Sequence, residues 1–587
     1  MAPTNSLVKC YAVLDDVRLA GPPELLADCV ARLQSQLEPS QLTLNPSKSE
    51  RFWFHTSALP SSLLDLQFRL VNKAAIVLGA PVGVDDSSIN DLLVKDTHNY
   101  HERFFNTLLS PLLHHQEVFL LLRYCMLPKL THLMRTVRPH WLHTTTQQFD
   151  QLIINIINQR LSIPNSSTPN LPYQTILSLP IRLGGFGLRS TTTTSPFAYW
   201  SSIAACMSTI QQRPQPISST LVASSNSSNL TPQLLSSLQF CHRHHPESNE
   251  SNEHPSDSKQ PIDNINTVDN KDKIIHQLHQ NYNDTPHHLQ HLLTITHDNA
   301  QHQHFISNAT PILKAILHST ANSPPSSAFL TTFPTEPRYE INDIAFIQAA
   351  RLRLGLSPHP PLDDIQQCSC GKEIIDPWHF LSCTHLKRTA ITNRHNVIVN
   401  LIASFVRDCG GIALVEPAAL SKQSSKHPDI DIVIGTRHIY VDVTIRHPLA
   451  PSKLHSASTH PNSILQSAER DKHKKYDTLA HQNHASFIPF VVDTFGHITE
   501  TSLQLLHDII DSSPSPPNHT QTLTQYYTII AYIAIAIVHS NSFIISTGTQ
   551  QCRIGRRLRF SSVSSTHLSS SPPTSSHNPS LISFPCT

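Results

Sequence analysis

The residues best suited to chemistry lie in a stretch that begins at Pro428, where aspartate and isoleucine alternate. Alternation with a period of two predicts a strand with isoleucines on one face and Asp429 on the other. The next strand places Asp442 on its polar face, and Gly435-Thr436 between them suits a two-residue type II′ turn. That register sets Asp429 opposite Asp442, with Cβ atoms about 4.5–5.5 Å apart. Two such carboxylates repel each other unless they hold a cation, so the pattern predicts a Mg²⁺ or Mn²⁺ site; the alternative is a solvated acidic hairpin.

A charged, helix-favouring segment downstream supplies basic groups. Lys472 and Tyr476 lie four residues apart, so a helix puts them on one face, and Lys475 is the neighbouring candidate. A lysine near a metal can stabilise the charge that develops on a phosphate or orient the attacking water. The predicted catalytic set is therefore Asp429, Asp442 and a lysine from this helix, with Tyr476 beside them.

A third group of residues has the spacing of zinc ligands. Cys368, Cys370, His379 and Cys383 form the pattern C-x-C-x8-H-x3-C within sixteen residues. Two thiolates one residue apart can bind one ion from a tight turn, and a His and a Cys four apart can complete a tetrahedral site. Four protein ligands leave no open position, so the predicted role of Zn²⁺ is structural. The alternatives are a chance cluster of buried cysteines, and His385 as a rival ligand.

An adjacent pair of acids, Asp15 and Asp16, lies between apolar, strand-like flanks. Carboxylates at the tip of a hairpin can share the divalent ions that phosphoryl transfer uses. Taken alone, an Asp-Asp pair is more often a surface turn.

The later motifs, taken in order, resemble the PD-(D/E)xK nucleases, specifically the restriction-like endonuclease of site-specific non-LTR (LINE-type) retrotransposons. In that family a zinc knuckle lies immediately upstream of the nuclease, and Arg394-His395-Asn396 matches a segment of the family. Thr444 stands where ordinary members of the superfamily have lysine, so the resemblance implies catalysis by Lys472 or Lys475. It also implies Mg²⁺ at the nuclease site, with a DNA target and the element's RNA as partners.

The N-terminal motifs resemble the palm of a reverse transcriptase. The Asp-Asp pair is followed by Lys48 and then by a Leu-Gly-Ala-Pro segment that begins at Leu78. The resemblance implies that Asp15 and Asp16 are metal-binding acids. Only fourteen residues precede Asp15, whereas the family has another metal-binding aspartate well upstream. We therefore expect a truncated palm without polymerase activity, unless a complementary polymerase chain completes the site.

The two resemblances imply that these motifs are carried by an α+β multidomain chain. The fraction of apolar residues is 39%, low for a globular protein, and the net charge is +1, so any basic nucleic-acid surface must be local. The expected order is a truncated palm (1–85), a helical thumb-like region (86–206), a low-complexity disordered linker (207–335), a helix with the zinc knuckle (336–390), the PD-(D/E)xK-type α/β endonuclease (391–510), a helical extension (511–560) and a disordered tail (561–587).

The N-terminus lacks the features of a signal peptide, and the longest apolar run, residues 529–538, is too short to span a bilayer. We expect a soluble, intracellular protein without a membrane partner, with the nucleus as the location the resemblance favours. Two functions are open: a metal-dependent endonuclease that nicks its target, or a non-catalytic, zinc-dependent nucleic-acid-binding remnant of a decayed element.

Overall fold

The structure is a computed structural model. It describes residues 7–13, 16–53, 58–64, 66–164, 172–211, 289–358, 367–374, 378–417, 427–513 and 519–565. The chain forms two compact units: the first comprises Met1–Pro180 and Phe186–Ser307, and the second comprises Ile181–Gly185 and Asn308–Thr587. Both helices and strands are present, which confirms the α+β class.

The first unit begins with short strands and continues with helices. Its three small sheets are two-stranded and pair β1 with β2, β3 with β4, and β5 with β6. Its elements are β1 Lys9–Val13, β2 Asp16–Ala20, α1 Pro23–Leu37, β3 Glu50–Phe52, α2 Ser61–Leu64, β4 Arg69–Val71, β5 Ala74–Val77, β6 Ala80–Gly83, α3 Asp86–Leu108, α4 His115–Leu121, α5 Thr131–Thr136, α6 Pro139–Arg160, α7 Pro172–Ser178, α8 Thr191–Gln211 and α9 Leu289–Asn308.

The predicted linker, 207–335, extends too far towards the C-terminus. Residues 289–308 form α9, and two further helices follow before residue 335, α10 (Pro311–Thr320) and α11 (Pro324–Ser327). The side chain of Thr310 caps α10 by accepting from Leu313 N, and Ile316 and Leu317 are fully buried. The polar composition of this stretch did not indicate helices, because composition does not show the spacing of the few apolar residues whose burial stabilises them. Residues 212–288 of the predicted linker lie outside the described residues.

The second unit contains a four-stranded sheet and the helices around it. After α10 and α11 its elements are α12 Asp343–Arg353, α13 Thr392–Asp408, β7 Ile412–Val415, β8 Ile430–Ile434, β9 Arg437–Arg446, α14 Leu454–Thr459, α15 Ser463–Gln482, β10 Ser486–Asp493, α16 Glu500–Asp511 and α17 His519–Ser565. The strand order is β10-β9-β8-β7. β7, β8 and β9 are antiparallel neighbours, whereas β10 runs parallel to β9 and is reached through α14 and α15.

One face of this sheet forms the main hydrophobic core of the unit. Alternation along β8 and β9 directs one set of aliphatic side chains to this face, where they pack with residues of α13, α16 and α17. The buried strand residues are Ile430, Ile432, Ile434, Ile439, Val441, Val443, Phe490 and Val492. The polar set, which includes Asp442 and Thr444, therefore lies on the opposite face.

Among the described residues, the opposite face is only half covered. α15 packs over β9 and β10, where Tyr476 contacts Tyr440 and Phe487 in one apolar cluster. Across β7 and β8 the side chains of Ile412, Leu414 and Val433 are exposed. The polar face thus has a covered half under α15 and an open half beside it.

α17 includes the longest apolar run of the sequence, residues 529–538, and this run is helical. Ile529, Ile533 and Ile537 are each less than 4% exposed and pack in the core below the sheet. By length and composition alone His519–Ile554 is apolar enough to cross a membrane, but two thirds of its most apolar segment is buried inside the protein. A core helix has these properties.

Candidate active site and metal centre

The hairpin formed by β8 and β9 has the register that the sequence predicts. Ile434 pairs with Arg437 and Ile430 pairs with Val441. Gly435 has a φ of +56°, the conformation that the first position of a type II′ turn requires. Continued by one residue, this register sets Asp429 opposite Asp442.

Asp429 lies immediately before β8 and is held by two neighbours. Its Oδ2 accepts a hydrogen bond from Val443 N at 2.6 Å and lies 3.0 Å from His395 Nε2. His395 belongs to α13, and burial alone would lower its pKa, but the hydrogen bond and charge of Asp429 raise the pKa above the ordinary histidine value. A protonated His395 donates to Asp429 and fixes the direction of that carboxylate.

Asp442 lies in the middle of β9 and is 3% exposed. Its Oδ2 is 2.5 Å from Nζ of Lys472, which reaches down from α15. A buried carboxylate requires a counter-charge, because removal from water costs several kcal/mol per ion. Of the two lysines predicted for the site, Lys472 contacts an acid, whereas Lys475 Nζ donates to the hydroxyl of Tyr476 at 2.6 Å.

Tyr476 anchors α15 to the sheet. Its side chain is 2% exposed, and its hydroxyl donates to the carbonyl of His427 at 2.9 Å. Its ring packs on Phe487, with centroids 5.0 Å apart. Burial, and next the nearby Asp442, raise the pKa of Tyr476 above that of free tyrosine. The hydrogen bond from Tyr476 to the carbonyl of His427 therefore fixes α15 to the chain that leads into β8.

His395 is the residue of this site whose role the sequence did not assign. The Arg-His-Asn segment was matched to the family, but thirty-three residues separate His395 from Asp429. Local periodicity says nothing about contacts over that separation. The available signal was a histidine at the start of an apolar, helix-favouring segment that precedes an acidic strand.

Four further residues form a separate candidate metal centre. Ligand atoms of Cys368, Cys370, His379 and Cys383 lie within 4.8 Å of one another. Cys368 Sγ is 3.6 Å from Cys383 Sγ, and Cys370 Sγ is 3.3 Å from His379 Nε2. Three thiols and one imidazole at these distances could bind structural zinc. The rival ligand of the sequence analysis, His385, is not in this group.

A tight turn and a short helix position the four groups. Gly371 N donates to the carbonyl of Cys368, and Gly371 has a φ of +84°, which glycine adopts without strain. His379 begins a 3-10 helix, His379–Ser382, and Cys383 follows it directly. Burial lowers the pKa of His379, which favours the neutral imidazole that binds a metal. The 3-10 helix is tighter than the α-helical turn that the spacing of His379 and Cys383 favours.

Arg353, near the C-terminus of α12, has a structural role. The side chain of Asn342 caps the N-terminus of this helix, and Arg353 is 1% exposed. The guanidinium of Arg353 donates to the carbonyls of Gly184 and Gly185 at 3.1 and 3.2 Å. These glycines therefore form a turn that is fixed through its carbonyls. A phosphate-binding loop would present N–H groups instead.

The N-terminal acids lie on a different hairpin. Asp16 begins β2 and pairs with Val13 of β1. Asp15 lies outside the described residues. Lys48 lies in a turn, and its backbone N donates to the carbonyl of Asn45. The assignment of Asp15 and Asp16 as metal ligands stays a prediction.

Comparison with known proteins gives one line of support. No family model matches the sequence. Over 188 residues, 31% of this chain, the sequence is 27% identical to a retrotransposable element SLACS 132 kDa protein of Trypanosoma brucei gambiense. The match spans 15% of that relative's length. This similarity supports a retrotransposon origin for the chain.

Proposed function

We propose that the second unit is a divalent-metal-dependent DNA endonuclease derived from a non-LTR retrotransposon. The proposal rests on the register of β8 and β9, which sets Asp429 opposite Asp442 when it is extended by one residue, and on the contact of Lys472 with the carboxylate of Asp442. Carboxylate oxygens are the ligands that Mg²⁺ and Mn²⁺ prefer. The similarity to a retrotransposable element protein and the motif order both favour this function over other metal-dependent reactions.

The proposed reaction is hydrolysis of a phosphodiester bond. A divalent ion bound at the two aspartates would polarise the substrate phosphate and lower the pKa of a bound water. Lys472 stabilises the added negative charge as the water oxygen bonds to phosphorus, and His395 keeps Asp429 aimed at the ion. The bond from phosphorus to one ester oxygen breaks, that oxygen takes up a proton, and the water proton passes to solvent. The open half of the sheet face gives the substrate access to these groups.

A nicking assay tests the proposal. The full chain is incubated with supercoiled plasmid and Mg²⁺ or Mn²⁺, and conversion to the open circular form is measured. We expect nicking by the wild type, loss of nicking in Asp442→Asn, and retention in Asp431→Asn. Asp431 is a suitable control because it lies on the same strand face and bonds His438 at 2.8 Å. Equal nicking by wild type and Asp442→Asn contradicts the assignment.

A non-catalytic nucleic-acid-binding protein is the second candidate. The contact between Lys472 and Asp442 favours it, because a buried ion pair can persist for structural reasons after cleavage is lost. Binding of labelled DNA or RNA in a gel-shift assay, abolished by a zinc chelator and accompanied by no nicking in either metal, supports this candidate against the first.

We also propose that the Cys₃His group holds one structural Zn²⁺. The wild-type chain is expected to contain about one zinc per chain, and Cys383→Ser is expected to lose it. Because bound zinc stabilises the folded state, that variant also melts at a lower temperature. Cys206→Ser, at an exposed cysteine outside the group, is the control. Atomic absorption and thermal melts measure both effects, and a wild-type chain without zinc after expression in zinc-supplemented medium contradicts the assignment.

A further inference from the structure

Arg394, the third residue of α13, is a buried cation that joins three parts of the second unit. It is 2% exposed, and burial lowers its pKa to about 10, so it still carries its charge near neutral pH. One terminal nitrogen of its guanidinium donates to Asn541 Oδ1 of α17 at 2.8 Å, and the other donates to the carbonyl of Leu381 at 3.3 Å. A buried guanidinium is costly unless its acceptors are held in place, so the position of Arg394 depends on both partners.

The carbonyl of Leu381 belongs to the candidate zinc centre. Leu381 lies in the 3-10 helix His379–Ser382, between the predicted ligands His379 and Cys383. A 3-10 helix of four residues has little stability of its own, because helix nucleation is unfavourable and its hydrogen bonds are poorly aligned. Zinc bound at the four ligands would stabilise this segment, since metal binding and folding are coupled. The position of this carbonyl therefore depends on the occupancy of the zinc centre.

The next residue along α13 belongs to the candidate nuclease site. His395 Nε2 lies 3.0 Å from Asp429 Oδ2 and 3.2 Å from the carbonyl oxygen of Val443. Successive residues of a helix point about 100° apart, so Arg394 and His395 reach different neighbours from a single turn. Displacement of that turn would move the imidazole and the carboxylate that it orients. The two candidate metal sites thus share the first turn of α13.

α17 supports this arrangement from the other side. Its Asn541 is 6% exposed, accepts from Arg394, and donates to the carbonyl of Thr494 at the end of β10 at 2.7 Å. About two turns further along α17, Gly548 lies against Phe380 of the 3-10 helix. A Cβ atom at Gly548 would be 2.5 Å from that ring, so the glycine permits the close approach. α17 therefore holds Arg394 and the 3-10 helix next to each other.

We propose that Arg394 is a positioning residue that couples the zinc centre to the divalent-metal site of the nuclease. This inference rests on the proposed function and on the zinc assignment. With zinc bound, the carbonyl of Leu381 holds Arg394, the first turn of α13 keeps its place, and His395 keeps Asp429 directed at the divalent ion. Without zinc, Arg394 loses one of its acceptors and the turn is free to shift, so the affinity for the divalent ion falls.

Titration of the full chain with Mn²⁺ by isothermal calorimetry measures the coupling. Mn²⁺ prefers oxygen ligands, so it reports on the aspartates rather than on the thiol-rich centre. Cys383→Ser removes zinc, and Arg394→Lys keeps the charge but loses the planar fork of donors. We expect each variant to raise the Kd for Mn²⁺ about 5- to 10-fold, a usual size for coupling between two sites.

The double variant tests whether Arg394 is the connection. We expect its Kd to be no higher than that of either single variant, because both changes break the same connection. Arg388→Lys makes the same substitution at an exposed position just upstream of α13 and is the matched control. It is expected to leave the Kd unchanged. Circular dichroism at the titration temperature shows whether each variant is folded.

The wild-type chain provides a second measurement that does not depend on the folding of a variant. Coupling between two binding sites is reciprocal, so saturating Mg²⁺ is expected to lower the Kd for zinc by the same factor. Competition with a zinc-selective colorimetric chelator, with and without Mg²⁺ at matched ionic strength, measures this change.

The outcomes distinguish this inference from the proposed function. Nicking by the wild type, with the same Mn²⁺ affinity in wild type and Cys383→Ser and a zinc affinity that Mg²⁺ does not change, overturns the coupling and leaves the endonuclease assignment intact. Losses of affinity that multiply in the double variant overturn the role of Arg394. Zinc-dependent Mn²⁺ binding without nicking supports the coupling and overturns the endonuclease. A wild-type chain that binds no Mn²⁺ overturns both.

Discussion

Two hairpins of this protein carry acidic residues, and their surroundings differ. β1 and β2 form a sheet of their own, with Tyr11 and Val17 exposed. β8 and β9 are flanked by β7 and β10, and Ile432 and Val441 have no exposed surface. An acidic pair becomes a strong metal site only when its carboxylates are held in place before the ion arrives. The comparison teaches that the surrounding layers, rather than the acidic pair itself, fix the positions of the acids.

The largest expected difference is in catalysis. Asp442→Asn is expected to lower the nicking rate about 100-fold or more, the size of losing one preorganised electrostatic group. Asp16→Asn, at the first hairpin, is expected to leave the rate within about twofold. Rates of plasmid nicking in saturating Mn²⁺ measure both. An equal loss in the two variants would break the comparison, because it would tie the first hairpin to the same reaction.

The next difference is in stability. Ile432→Ala empties a fully buried position under the second hairpin and is expected to lower the free energy of unfolding by about 2–5 kcal/mol. Val17→Ala, at a position 40% exposed, is expected to change it by less than about 0.5 kcal/mol. Urea denaturation followed by circular dichroism measures both. Similar losses would mean that the first hairpin is buried by contacts beyond those described.

A smaller effect concerns the pH dependence of stability at the end of β9. His447 is buried, its Nδ1 is 2.8 Å from Thr494 Oγ1, and burial, then the charge of Arg394, lower its pKa to about 3. The unfolded chain takes up a proton near pH 6.5, whereas the folded chain does not. The stability due to neutral His447 is complete above pH 6.5 and declines as pH falls towards 3. From pH 7 to pH 5 the expected loss is about 1–2 kcal/mol.

His447→Gln tests this expectation, since the variant is expected to lose less stability than the wild type over the same interval. The difference between the two proteins is the quantity to measure, because burial raises the pKa of Asp493 to about 6 and protonation of that nearby group acts in the opposite direction. Urea midpoints at pH 7 and pH 5 are sufficient. Parallel pH profiles in the two proteins would show that His447 is accessible to protons in the folded state.

Local sequence features predicted much of the second hairpin. Period-two alternation and the Gly435 turn are properties of neighbouring residues, so they specified the strands and the pairing of Ile430 with Val441. The spacing of Cys368, Cys370, His379 and Cys383 likewise anticipated a cluster that the structure brings together. Short-range geometry is sufficient in these cases because few backbone angles separate the residues.

Tertiary packing decided which of the predicted residues meet. Both Lys472 and Lys475 lie on the predicted helix, but the packing of Tyr476 against Phe487 turns Lys472 towards Asp442 and leaves Lys475 on the tyrosine hydroxyl. The contact of His395 with Asp429 depends on where the first turn of α13 lies relative to the sheet. The sequence by itself determined the two strands of the second hairpin and the acidic pair. Only the fold determined their neighbours, because contacts between distant residues depend on how whole elements bury their apolar faces.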